Sequence, residues 1–169
     1  MATKPPRIAL LIDAENTPPS CLPRVLAELQ SAGVVTVRRA YGAWQARHLR
    51  GWRAAADRHD VDRIGQDRLV RGKNASDIAL VIDAMTLLHA GTVDVLAIVS
   101  SDSDFAPLAV RARERGVTVL GFGEAKTPLH TCPRALPSRG SICRRRLPEP
   151  EPLDPPAPSS DATSAWSVP

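Results

Sequence analysis

The sequence predicts an α/β protein: a three-layer α/β/α sandwich with a mainly parallel central sheet. The first observation is a series of short apolar runs, among them residues 7–12 and 93–99, which are typical of strands buried on both faces. The second is that stretches of helical length separate these runs. The third is size and composition, because 169 residues with 43% hydrophobic and 24% charged residues suit one ordinary globular domain.

The elements of the first half of the chain alternate between strand and helix. Arg7–Ile12 is an apolar run of buried-strand type and gives the first strand. Ser20 is a candidate cap for the following helix, which Gly33 ends. The next three elements are a strand at Val34–Tyr41, a helix from about Trp44 to His59 and a weak strand near Val61–Ile64.

The second half repeats this alternation after a polar, basic stretch at residues 66–74. A helix is predicted from about Ser76 to His89, and Gly91 ends it. Its apolar positions are Ile78, Val81, Ile82, Met85 and Leu88. The remaining elements are a strand at Val93–Val99, a helix at Phe105–Arg115 and a strand at Val117–Phe122.

The domain predicted from this pattern covers residues 5–128. Ten of the 16 prolines lie in the 44 residues from Lys126 onward, where the apolar periodicity is lost. We therefore expect residues 129–169 to form a Pro/Arg-rich, disordered tail.

Composition excludes several classes of protein. The longest early apolar run, at residues 8–12, is far shorter than a signal-peptide core or a membrane span. The three cysteines have neither the spacing of a disulfide framework nor that of a CxxC metal pair. We therefore expect a reduced, cytoplasmic protein without membrane association. The net charge of +4 permits a polyanionic partner.

Acidic residues stand at the ends of the predicted strands. Asp13 follows the first strand, and Asp102 and Asp104 follow the strand that ends at Val99. Asp77 lies in the first turn of the helix that leads into that strand. Ligands of doubly wound sheets bind outside the carboxyl ends of the strands, so we expect these four carboxylates to converge. Such a cluster suits Mg²⁺ or Mn²⁺, which activate water and neutralise phosphate charge.

Each acid also has a structural interpretation. Asp77 near a helix start complements the helix dipole, and Asp102 or Asp104 can cap the next helix. Capping does not account for Asp13, which follows a buried strand. Asp83 lies about 120° around the helix from Asp77 and is a second-tier candidate, which reaches either the cluster or a basic residue.

Positive charge is concentrated in residues 38–73, which contain ten Lys and Arg residues and four Asp. A basic surface beside an acidic pocket suits the cleavage of a nucleic acid. Whether the arginines of this segment bind phosphate or are simply solvated stays open. Trp44 and Tyr41 either stack on unpaired bases or pack into the core, and we favour the core. The candidate phosphate contacts are Arg39, Arg71 and Lys73.

Four segments resemble a known family in the order in which they occur. They are residues 12–16 (IDAEN), 72–83 (GKNASDIALVID), 98–108 (IVSSDSDFAPL) and 116–123 (GVTVLGFG). Together they resemble the NYN domain, in the branch called LabA-like or DUF88, over about residues 6–128. From residue 129 the chain departs from the family pattern, in which a helix and a hydrophobic segment follow.

The resemblance implies a fold similar to that of PIN-domain ribonucleases, with an acidic pocket that binds Mg²⁺ or Mn²⁺. By position, the residues implied to hold the metal and carry catalysis are Asp13, Asp77, Asp102 and Asp104. Asn16 is the accompanying amide, whose side chain can hold a bound water or a substrate oxygen, and Asp83 is the second acid of its helix.

The predicted function is therefore a Mg²⁺- or Mn²⁺-dependent endoribonuclease. RNA is the expected partner, and the sequence leaves a homodimer open. Three alternatives remain: a non-catalytic RNA-binding module, a metal-dependent phosphohydrolase of small phosphoesters, and a protein-interaction adaptor that works through the tail. An NTPase is disfavoured because the sequence has no Walker-type phosphate loop.

Overall fold

The computed structural model describes residues 4–65, 74–124 and 142–145. The six strands within these ranges are β1 (Arg7–Asp13), β2 (Val34–Tyr41), β3 (Asp62–Ile64), β4 (Val95–Val99), β5 (Thr118–Glu124) and β6 (Ile142–Arg145). The four α-helices within them are α1 (Leu22–Ala32), α2 (Arg50–Arg58), α3 (Ala75–Ala90) and α4 (Ala106–Glu114). Every strand and helix predicted from the sequence is present, with shifts of a few residues at the ends.

The strands form one sheet in the order β3-β2-β1-β4-β5-β6. The pairs from β3 to β5 are all parallel, and only β6 runs antiparallel to its neighbour β5. This is a doubly wound arrangement, because the chain works outward from β1 in one direction and then from β4 in the other. The predicted mainly parallel sheet is confirmed.

Strand β6 corrects the domain boundary predicted at residue 128. It lies within residues 129–169, which were expected to form a disordered tail. In the structure, however, Ile142 pairs with Glu124 and Arg145 pairs with Gly121. That prediction is wrong for these four residues. The outer edge of β5 presents unpaired backbone groups, which a passing segment satisfies without any apolar pattern of its own. The other residues of 129–169 lie outside the described ranges.

Two apolar cores fill the spaces above and below the sheet. Successive side chains of β1 serve both: Ile8, Leu10 and Ile12 face the core beneath α1 and α2. Ala9 and Leu11 face the core beneath α3 and α4. Each fully buried leucine stabilises the fold by about 1.5–3 kcal/mol relative to an exposed one. Helices therefore cover both faces, and the predicted α/β/α sandwich is confirmed.

Helix α2 begins six residues later than predicted. The segment before it contains a turn of 3-10 helix at Arg47–Leu49. The Glu15 carboxylate accepts a hydrogen bond from the Ala43 backbone N–H at 2.7 Å, which ties the start of this segment to the loop after β1. Tyr41 is buried and Trp44 is partly buried against the core beneath α1 and α2, so the prediction that these two aromatic residues pack inward is confirmed.

Helix α3 turns a different face to the core than its apolar positions suggest. Leu80, Ala84 and Leu88 are buried, whereas Ile78 and Ile82 are 55% and 62% exposed. The helix is apolar around much of its circumference, so the sequence pattern alone does not select the buried face. Two large apolar side chains consequently lie in solvent beside the start of α3.

Candidate active site

The carboxyl ends of β1 and β4 define the candidate site. These strands are neighbours in the sheet, yet the chain leaves β1 toward α1 on one face and β4 toward α4 on the other. A crevice opens at such a switch point, and doubly wound proteins bind their ligands there. Asp13 is the last residue of β1, and Ser100 directly follows β4.

Asp13 is the buried anchor of the site, with a relative exposure of 1%. Its Oδ1 accepts hydrogen bonds from the backbone N–H groups of Glu15 and Asn16, both at 3.2 Å. Its Oδ2 accepts hydrogen bonds from Asn16 Nδ2 at 2.8 Å and from Ser100 Oγ at 2.7 Å. Asn16, which the sequence predicted to hold a bound water or a substrate oxygen, uses its amide N–H to fix the orientation of this carboxylate.

The loop after β4 is tied to Asp13 through Ser100. Ser100 Oγ accepts a hydrogen bond from the Asp102 backbone N–H at 3.0 Å while it donates to Asp13. Asp102 Oδ1 in turn accepts one from the Asp104 backbone N–H at 3.0 Å, so Asp102 caps the turn at Ser103–Phe105. Both acids are exposed to solvent. The capping interpretation thus holds for Asp102. Among the described residues, the second carboxylate oxygen of Asp102 has no hydrogen-bond partner.

Asp77, in the first turn of α3, lies within the electrostatic reach of the other acids. Burial raises the pKa of its carboxyl group, and four neighbouring negative charges raise it further. In decreasing order of effect, those charges belong to Asp13, Asp102, Asp104 and Glu15. Asp77 is therefore within electrostatic range of the other three acids predicted from the sequence, and of Glu15.

The cluster fits a hard divalent cation, because its Asp and Glu side chains offer carboxylate oxygens, the ligands that such cations prefer. The carboxylates that raise the pKa of Asp77 add negative charge at the same place, which favours a cation. Within residues 4–65 and 74–124, however, no three Asp, Glu, His or Cys side chains are already close enough to hold a metal ion. Asp13 also accepts four hydrogen bonds, which occupies about the full capacity of a carboxylate.

Asp83 lies apart from the cluster and has partners of its own. Arg39 Nη1 donates to both of its carboxylate oxygens, at 2.6 and 2.8 Å, and the Tyr41 hydroxyl donates to Oδ2. Burial and then this contact raise the pKa of Tyr41, and the hydrogen bond to Asp83 raises the pKa of Arg39. Of the two options predicted for Asp83, the structure contains the basic partner. Arg39, a predicted phosphate contact, is engaged in this ion pair and holds α3 against β2.

The remaining cations of residues 38–73 include the two other predicted phosphate contacts and three arginines of α2 and the turn before it. Arg71 and Lys73 lie outside the described ranges. Arg53 donates from Nη1 to the Trp44 carbonyl at 2.7 Å and thereby supports the segment before α2. Arg47 and Arg50 are exposed, so their side chains are accessible to a ligand.

Glu15, His48 and Ser100 belong to the site although sequence reasoning did not select them. Glu15 contacts His48 Nε2 through Oε2, which joins the loop after β1 to the 3-10 turn before α2. Ser100 links Asp13 to the loop after β4. Both Glu15 and Ser100 follow strand ends within the motifs already noted, and that position is the signal that could have found them. His48 has no such signal, since its partner is 33 positions away.

A doubly wound α/β domain with carboxylates at its switch point is consistent with the PIN-like class, whose nucleases generally depend on divalent metals. The family model described as NYN domain matches residues 7–137 of the chain. The protein therefore belongs to the NYN-domain family, which is part of the PIN-like superfamily. The match extends nine residues beyond the boundary predicted at residue 128.

Among solved structures, the chain is similar to a protein of unknown function from Vibrio parahaemolyticus RIMD 2210633. The two share 19% sequence identity with a TM-score of 0.59, over 73% of this chain and 84% of the other. At that identity the likeness shows the fold alone. A comparison with curated proteins finds no match. Among the residues described, no helix has the length and apolar character needed to cross a membrane.

Proposed function

We propose that the protein is a Mg²⁺- or Mn²⁺-dependent endoribonuclease. The observation that carries the proposal is the crowding of carboxylates around Asp77 at the switch point of a chain with the NYN fold. Like charges that interact raise the free energy of the folded state unless a cation or protons neutralise them. A site that retains this cost is better explained by ligand binding than by stability.

The side chains of the site have distinct roles under this proposal. Asn16 and Ser100 hold the Asp13 carboxylate in one orientation. Asp77, Asp102 and Asp104 supply the negative charge that binds a cation. A bound divalent cation lowers the pKa of a water ligand and neutralises charge on the phosphate. Water positioned by these carboxylates would attack the phosphorus of the RNA backbone. The bond from phosphorus to one ribose oxygen would break, and that oxygen would leave with the proton that the water gives up.

The cationic side of the site holds the RNA strand. Arg47 and Arg50 are exposed on the segment that Glu15 joins to the crevice through His48. Arginine binds phosphate oxygens through its planar, permanently charged guanidinium group. Arg71 and Lys73 keep their predicted role as phosphate contacts. Arg39 is assigned to the ion pair with Asp83 and not to phosphate.

RNA cleavage with matched variants tests the proposal. Purified protein is incubated with end-labelled single-stranded RNA and Mn²⁺, with and without EDTA. We expect cleavage that EDTA abolishes and that Asp13→Asn and Asp102→Asn each reduce by at least about a hundredfold. Asp94→Asn is the control, because Asp94 pairs with Arg7 at the far edge of the sheet. Cleavage unchanged in both site variants would mean that a contaminant is responsible.

A non-catalytic RNA-binding module is the second candidate. It is favoured by one observation: the Asp13 carboxylate already accepts four hydrogen bonds. RNA binding that weakens with salt, together with no Mn²⁺-dependent cleavage, would support this candidate over the first. The LabA-like (DUF88) assignment, the cytoplasmic location, the homodimer and the small-phosphoester alternative stay predictions.

A further inference from the structure

An apolar surface lies directly beside the acidic cluster. Ile78 and Ile82 are one helical turn apart on α3 and are among the most exposed large apolar side chains of the described residues. Leaving two such side chains in water forgoes the stabilisation that burial would bring. Their exposure leaves α3 with an apolar face that is accessible to a ligand.

This surface forms one wall of a shallow depression of about 260 Å³. Val81 and Phe105 complete its apolar lining, and Asn74 contributes an amide at the start of α3. Asp77 and Asp104, two acids of the candidate site, form its polar rim. The depression and the acidic cluster are thus one continuous surface.

We infer that this depression binds a nucleobase of a single-stranded RNA whose adjacent phosphate lies at the acidic cluster. The inference rests on the proposed function, because it uses the same site and names the part of the substrate beside the reacting phosphate. A base is uncharged and has two apolar faces, so it can lie against isoleucine beside carboxylates without electrostatic cost. Only one ribose separates a base from its phosphate, so the two groups bind at adjacent places. The depression and the acidic cluster are adjacent in this way, because they share Asp77 and Asp104.

The size of the depression favours a single base. Pockets for drug-sized ligands measure about 300–1,000 Å³, and this one lies just below that range. The ring system of one base is smaller than a drug-sized ligand and therefore suits a depression of this volume. Contact with aliphatic side chains is also tolerant of base identity, because it uses no hydrogen bond to the base edge.

The charge of the rim disfavours a second copy of the chain as the occupant. A two-fold interface places the same patch of both subunits in contact. Asp77 and Asp104 would then lie beside their counterparts from the other subunit, and like charges that close oppose association. A divalent cation held between the rim carboxylates and an RNA phosphate, as the proposed function requires, would offset this repulsion for an RNA strand.

A binding experiment with two strands of equal charge tests the inference. The ligands are a fluorescent twelve-nucleotide oligouridylate and an abasic strand of the same length, measured with Ca²⁺ present so that cleavage does not interfere. Because both carry the same phosphates, the ratio of their dissociation constants reports contact with bases alone. We expect the wild type to bind the base-bearing strand about five- to tenfold more tightly.

The variant Ile78→Ser/Ile82→Ser should reduce this ratio to less than about twofold. Val34→Ser is the matched control, since Val34 is 50% exposed at the opposite end of the sheet, and it should leave the ratio unchanged. If the double variant melts at a lower temperature than the wild type, the single variant Ile82→Ser should still lower the ratio. Equal loss of affinity for both strands in the double variant would overturn the inference.

Further outcomes separate this inference from the proposed function. A wild type that shows the base-dependent ratio but never cleaves RNA would refute the nuclease proposal and leave the base site intact. A wild type that cleaves RNA while the double variant keeps the full ratio would refute only the base site. A change from dimer to monomer in the double variant, with the ratio unchanged, would assign the face to self-association and likewise refute the base site.

Discussion

Asp94 lies at the amino ends of the parallel strands and Asp77 lies at their carboxyl ends. The charges that surround these two carboxylates differ in sign. Asp94 precedes β4, where Arg7 donates to it from the backbone N, Nε and Nη2 at 2.8 to 3.0 Å. This contact lowers the pKa of Asp94 to about 2. Asp77 lies at the carboxyl edge, where burial and neighbouring carboxylates raise its pKa. The comparison teaches that Asp94 has a guanidinium partner, whereas Asp77 has no cationic partner among residues 4–65 and 74–124.

The same contrast exists within one helix. Asp83 and Asp77 are six positions apart on α3, a separation of about 9 Å along the helix axis. Asp83 has Arg39 and Tyr41 as partners, whereas Asp77 faces four carboxylates. One acid fastens the helix to the sheet, and the other is thereby held at the crevice.

The largest expected effect is on catalysis at the crowded edge. Asp77→Asn should lower Mn²⁺-dependent RNA cleavage by at least about a hundredfold, because it removes an acidic ligand from the cluster. Asp94→Asn should leave the rate within about twofold, since Asp94 is far from the crevice. The initial rate of cleavage measures both. Equal losses in the two variants would break the comparison between the edges.

The second effect is on stability and concerns the paired acid of α3. Asp83→Ala should lower the free energy of unfolding by about 2 kcal/mol, because it leaves the half-buried Arg39 guanidinium and the Tyr41 hydroxyl without their acceptor. Urea unfolding at neutral pH measures this loss. Asp77→Asn should cause no such loss. A stable Asp83→Ala protein would show that the ion pair does not hold α3 in place.

A smaller effect on catalysis is expected from the serine that orients Asp13. Ser100→Ala removes the hydrogen bonds that link Asp13 to the Asp102 backbone, and kcat should fall by about tenfold with little change in KM. Ser103→Ala is the matched control, since Ser103 is exposed in the same loop. If both variants lose activity equally, the loop as a whole matters rather than the orientation of Asp13.

The smallest effects are the pH dependences of stability without metal. The raised pKa of Asp77 means that its protonated form stabilises the fold below the ordinary value of 3.8, and that this contribution is lost as pH rises through the raised pKa. Asp77→Asn should therefore be more stable than the wild type at neutral pH, with the difference vanishing in acid.

Asp94 should behave in the opposite way. Its contribution is present above pH 3.8 and is lost as pH falls toward its pKa of about 2. The wild type should exceed Asp94→Asn in stability at neutral pH and lose that advantage in acid. Thermal unfolding of the wild type and both variants across this range measures the two trends. Parallel curves for the two variants would contradict the opposite signs.

Much of this site could be predicted from the sequence because parallel strands end at a common edge. An apolar run followed by Asp13, and another followed by Asp102 and Asp104, places acids at the same edge without knowledge of any contact. Asp77 followed from the start of a clear helix. These predictions use only local pattern and strand direction.

The remainder depends on contacts between distant positions or on weak local pattern. The pairing of Asp83 with Arg39 spans 44 positions, and that of His48 with Glu15 spans 33. Helix α3 is apolar on several sides, so the exposure of Ile78 and Ile82 followed from which face packs and not from periodicity. Strand β6 has four residues, including two arginines, and pairs through its backbone.

The most direct test of the central claim is Mn²⁺ binding by the metal-free protein, followed by the electron paramagnetic resonance signal of free Mn²⁺. The wild type and Asp94→Asn should bind Mn²⁺ with the same affinity, whereas Asp13→Asn and Asp77→Asn should each bind at least about tenfold more weakly. Equal binding by all four proteins, or no binding by the wild type, would contradict the claim that the crowded carboxylates form a cation site.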